Sequence, residues 1–123
     1  MSGEAAIASL TVFHLGRMIM TETALDGPAL ERQPDTERFE SSDRTFIEES
    51  LMRLERASPQ PTEDVCDARW GLVFCDASGA RVKTFYLDKF GEIGILDGAT
   101  VEISDPSFIE WLRERYGEDS VLI

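Results

Sequence analysis

Residues 92–104, EIGILDGATVEIS, constrain the fold of this chain more than any other stretch. Ile93, Ile95, Val101 and Ile103 alternate with other residues on either side of Asp97-Gly98. An Asp-Gly pair suits the left-handed backbone of a type I′ turn, whose twist matches that of two antiparallel strands. Period-two apolar residues around such a turn predict a β-hairpin. Upstream, RWGLVFC (69–75), DASG (76–79) and ARVKTFYL (80–87) read as strand, turn, strand, and DKFG (88–91) turns the chain again. Residues 69–104 are therefore expected to form a four-stranded antiparallel meander.

The flanks supply the covering elements. Near 8–15 the chain is β-branched and apolar, predicting a strand with Leu10, Val12 and His14 on one face and Thr11, Phe13 and Leu15 on the other, although Ile7, Leu10, His14 and Met18 also share a helical stripe. Residues 21–41 carry Gly27, Pro28 and Pro34 among charges and read as a long acidic, flexible loop. Residues 45–57 form an amphipathic helix with Ile47, Leu51 and Leu54 on one stripe. Its start reads as a capping box from Thr45 to Glu48, with Ser42 as the rival cap. Glu49 and Arg53 stand at the favourable i, i+4 spacing. A second helix spans 105–117, with Asp105 as N-cap, Pro106 at the first helical position, Phe108, Ile109, Leu112 and Tyr116 as its stripe, and Gly117 beyond its end. The tail, Val121-Leu122-Ile123, is apolar enough to pack on the domain or on a partner. At 123 residues one domain is expected. The fold class is α+β: an antiparallel sheet, made of the N-terminal strand and the meander, with two helices packed on one face.

Motifs of chemistry are sparse. The echo Cys66-Asp67-Ala68 and Cys75-Asp76-Ala77 invites a metal or redox reading. A strand between the two cysteines would hold them roughly 23 Å apart, too far for a shared metal or a disulfide. Asp76 is then the first residue of a turn, and Cys75 a small hydrophobe. His14 is the only histidine, and its apolar strand favours a packed core role over catalysis. No nucleophile elbow, zinc-protease motif or phosphate loop is present. Asp88, Glu92 and Asp97 all lie at meander turns and could converge at one end of the sheet to bind a cation. The preference of turns for Asp, with exposed ends charged, is the favoured explanation. Trp70, Leu72 and Phe74 share one strand face, while Phe85 and Tyr86 point to opposite faces. No cofactor is called for, and no catalytic residue is assigned.

Charge is what remains. The chain carries 24 acids against 12 bases, net −12. Residues 21–68 hold 13 of those acids and 5 bases, two thirds of the excess. Such a field opposes nucleic acid and anionic membranes and attracts basic proteins. No apolar run reaches the roughly 18 residues that span a bilayer. The first apolar stretch lacks the basic flank of a signal peptide, so a cytoplasmic protein is expected. The functional expectation is a small acidic binding module, of the immunity-protein or inhibitor kind, that docks on a basic protein partner. Asp35, Glu37, Glu40, Asp43, Glu48 and Glu49 would steer the encounter, and exposed aromatics, Phe39, Tyr86 and Trp111, would anchor it. The alternative is a homodimer or scaffold joined through an edge strand or the tail. An enzyme is the least favoured reading.

Overall fold

The meander is the centre of the molecule. In the computed structural model, which describes residues 7–16 and 23–116, it comprises β4 (Ala68–Asp76), β5 (Arg81–Asp88), β6 (Ile93–Leu96) and β7 (Ala99–Glu102). The hairpin between β6 and β7 turns at Asp97 and Gly98 with φ of 48° and 91°, the double left-handed turn that Asp-Gly predicts. Before the meander come β1 (Ile7–His14), α1 (Gly27–Arg32), β2 (Glu37–Ser41), α2 (Arg44–Arg56) and a two-residue strand, β3 (Gln60–Pro61); after it comes α3 (Ser107–Tyr116). One sheet of seven strands results, in the order β2-β1-β4-β5-β6-β7-β3, with every neighbouring pair antiparallel. The α+β class read from the sequence is the observed one.

Both faces of the sheet are covered, which is why β4 is buried without interruption from Ala68 to Phe74. On one face, Leu10, Val12, Trp70, Leu72, Phe74, Phe85 and Leu87 meet α2 and α3 through Phe46, Ile47, Leu54, Phe108, Ile109 and Leu112. This is the expected pair of helices on one face. On the other face, Phe13, Leu15, Val73 and Tyr86 meet Leu25 and Leu30 from α1 and its approach. Phe85 and Tyr86 thus divide between the two cores, as their alternation requires.

Residues 21–41 are not a loop throughout: the described part holds α1 and β2. The glycine and proline that read as breakers sit at the start of α1, where they are tolerated. Asp26 caps it by accepting from the Ala29 N–H at 2.8 Å, and Pro28 occupies the first turn, where no N–H is needed. Two bonds then fasten its approach to the start of β4: Leu25 N–H to the Asp67 carboxylate at 2.9 Å and Ala68 N–H to the Leu25 carbonyl at 2.8 Å. Two further readings need correcting. The cap of α2 is neither Thr45 nor Ser42 but Asp43, whose carboxylate accepts from the Thr45 N–H at 3.0 Å. Nor do all three turn acids converge: Asp88 and Glu92 share one turn and Asp97 lies at another. Asp88 bonds the Glu92 N–H at one end of β5, while Asp97 bonds the Thr84 N–H beyond the far end of β6. Antiparallel turns alternate ends, and the sequence distance between Asp88 and Asp97 spans a whole strand. Asp105 accepts from the Ser107 N–H at 3.0 Å and caps α3 as expected. Gly117 and the tail lie outside the described residues.

Candidate functional site

Of the acidic residues singled out by the sequence, Glu37 and Glu40 lie on the edge strand of the sheet, Asp35 and Asp43 flank it in sequence, and Glu48 and Glu49 lie on α2. That edge strand, β2, is paired with β1 in the register Glu37↔His14, Arg38↔Phe13, Phe39↔Val12, Glu40↔Thr11 and Ser41↔Leu10. Alternation then sorts the side chains. Phe39 joins the face of α2 and α3, as Val12 does, and packs on that core. Arg38 and Glu40 lie on the opposite face with Phe13 and Thr11. The chain leaves β2 at Ser41 and enters α2 at Arg44, so Asp43 follows the edge strand directly, while Glu48 and Glu49 belong to α2, which packs on the face opposite Glu40.

These acids are not equivalent. Asp43 is occupied as the cap of α2. Glu49 pairs with Arg53 at 3.0 Å. Glu37 lies 3.5 Å from Nδ1 of His14. Asp35, Glu40 and Glu48 are exposed and have no ion-pair partner among the described residues. Three of the six, Asp35, Glu40 and Glu48, are therefore left without a cap or an ion-pair partner among the described residues.

None of the three nominated anchors stands free. Tyr86 is only 5 % exposed, because β5 turns it into the smaller core beneath α1. Phe39 stacks on Tyr116 with ring centroids 4.5 Å apart. Trp111 is half-buried between Phe46 and Phe108, with the Arg53 guanidinium 4.8 Å above its ring. Amphipathic stripes and strand alternation place an aromatic on a face, but they do not say which faces are covered. Among the described residues the exposed large apolar side chains are Val65, Phe90 and Met52, on a loop, a turn and a helix respectively. Scattered single residues of this kind are ordinary surface.

His14 is 6 % exposed and stacks on Trp70 at 3.9 Å. It is the packed histidine its strand suggests. Both cysteines are free thiols. Cys66 is buried and bonds the Ile93 carbonyl, and burial together with Asp88 and Asp67 pushes its thiol up to about 12. That is the opposite of an activated thiolate. Among the described residues no group of three His, Cys, Asp or Glu side chains could hold a metal ion.

One cluster was not legible beforehand. Glu31 of α1 accepts hydrogen bonds from both terminal guanidinium nitrogens of Arg81, at 2.9 and 2.5 Å, and from the hydroxyl of Tyr86. Burial works to raise the Glu31 pKa, but the bonds from Arg81 and Tyr86 prevail and hold it below its ordinary value. The phenol of Tyr86 is pushed up, first by burial and then by the Glu31 bond. Beside this cluster a groove of about 580 Å³ opens on the same face, lined among others by Ser9, Thr11, Arg38, Glu40, Cys75 and Arg81. Arg38 lies over the Phe13 ring at 5.1 Å. The sequence gives no periodic signal for this cluster, since Glu31 and Arg81 are 50 residues apart.

Among the described residues no helix is long and apolar enough to cross a membrane. Set against protein-family models, curated proteins and solved structures, the chain matches none.

Proposed function

We propose that this chain is an acidic docking module for a basic protein partner, met in a reducing, cytoplasmic setting. The observation that carries the reading is that Asp35, Glu40 and Glu48, which lie before, on and after the edge strand in sequence, stand exposed with no ion-pair partner among the described residues. Carboxylates that stabilise a fold are paired or capping, as Asp43, Glu49 and Glu31 are here. Carboxylates left bare in a chain of net −12 add self-repulsion and gain their value only when a cation arrives. The absence of a free aromatic anchor among the nominated residues favours an encounter dominated by charge, hence one sensitive to salt. A partner of the matching kind is a protein whose own working surface is basic, such as one that handles nucleic acid. An immunity protein or inhibitor covering that surface is the nearest functional type.

The test compares two baits in lysate of the source cell at low ionic strength. One is the native chain and the other carries D35K and E48K, at two exposed positions outside the core. A basic protein held by the native bait, released by a salt step and missing from the charge-reversed bait supports the reading. The same protein held equally by both baits, or no salt-released protein on either, rejects it.

A further inference from the structure

β2 ends the sheet, and its outer edge has no strand beside it among the described residues. Its sequence, Glu-Arg-Phe-Glu-Ser, places Arg38 and Glu40 two residues apart, hence on one face. Both are exposed, and neither has an ion-pair partner among the described residues. A row of one charge on such an edge would repel a second copy, which is the usual way edges are protected. Opposite charges about a central residue do the reverse.

We propose that two copies of this chain join antiparallel through β2, with Arg38 of each opposite Glu40 of the other. The register follows from symmetry. Residues directly opposite one another in an antiparallel pair point to the same face. A two-fold axis normal to the sheet must therefore pass through a residue, not between two. Phe39 is the one centre that pairs all five residues of β2. With that centre Arg38 meets Glu40 twice, Glu37 meets Ser41 twice, and Phe39 meets its own copy beside the half-buried stack with Tyr116. Both charge pairs fall on the groove face, where Arg38 and Glu40 already line the wall, so the two grooves would run together across the axis. The pairing leaves Asp35 and Glu48 outside it and does not rest on the docking function.

Sedimentation velocity on the full chain, under reducing conditions that keep Cys75 from cross-linking, tests this from roughly micromolar to millimolar protein. The native chain should show a concentration-dependent dimer. R38E and E40R should each weaken it by about tenfold or more, because each turns two attractive pairs into two repulsive ones. The double swap R38E/E40R restores the opposition of charges and should return the affinity to within about threefold. Circular dichroism would verify that all three variants keep the native secondary structure. A monomer at every concentration overturns the proposal. So does a dimer indifferent to the single reversals, which would be joined elsewhere, for example through residues 121–123, and so does a double swap that fails to restore association.

Discussion

Tyr86 shows how much one side chain can be asked to do inside a sheet. Its ring fills the space above Gly27 so closely that a Cβ there would sit 2.4 Å from the ring. Its hydroxyl donates to Glu31, which in turn takes the fork of Arg81. Helix α1 is too short to be stable alone, so these contacts and Leu30 hold it down. Gly27→Ala should therefore cost about 1 to 3 kcal/mol, since ring and helix must separate to admit the methyl group. Urea denaturation measures this, and an unchanged midpoint would mean that α1 is not seated on Tyr86. Glu31 makes the same clasp sensitive to acid. Its folded pKa is depressed below the ordinary value of 4.5, so its contribution is fully present above that value and is lost as the pH falls through the lower, folded one. Unfolding midpoints of the native chain and of Glu31→Gln, taken from neutral to acid pH, should differ at neutrality and converge in acid. Parallel curves would show that the clasp draws nothing from the charge.

At the scale of elements, the cap of α2 separates two ways of reading the same letters. Ser42, Asp43 and Thr45 are all acceptable caps, and the capping-box spacing favours Thr45. The chain settles on Asp43 because β2 ends at Ser41 and the first buried helical residues are Phe46 and Ile47. Asp43→Ala should cost about 1 kcal/mol, whereas Ser42→Ala and Thr45→Ala should each stay within about 0.5 kcal/mol. Thermal melts of the three variants decide this, and a larger loss at Thr45 would restore the capping box. Strong local signals were legible wherever they agreed with burial. Asp-Gly between alternating isoleucines gave a hairpin, and the stripe of Phe108, Ile109 and Leu112 gave a helix behind Asp105. Weak elements were not. α1 spans six residues, less than two turns, and so carries no periodic stripe. β2 is a charged edge with one apolar residue, Phe39, and its strand state comes from pairing with β1 rather than from its own propensity. The candidate acids fall on β2, beside it and on α2, and the clasp with Arg81 falls on α1. That is why the acids could be named from the sequence while the partners that occupy some of them could not.

For the whole molecule the question is what the excess charge does to the fold that carries it. A net of −12 on 123 residues repels itself, and the repulsion is strongest at low ionic strength. Part of the charge is put to structural use, in caps and in the clasp of α1. Asp35 and Glu48 have no such use among the described residues. If they serve an encounter and not the fold, removing them should relieve the chain. D35K/E48K brings the net from −12 to −8, because each reversal changes it by two. Its melting temperature should rise at low salt, by the equivalent of up to about 1 kcal/mol, which is the range of exposed charge effects. The gain should shrink as salt approaches 1 M, where screening acts over roughly 3 Å. A lower melting temperature at every salt concentration would mean that these two acids hold the fold together, and they would lose their claim to function. A gain at low salt, in a variant that no longer retains the salt-released partner, would show stability yielded at these two positions in exchange for binding.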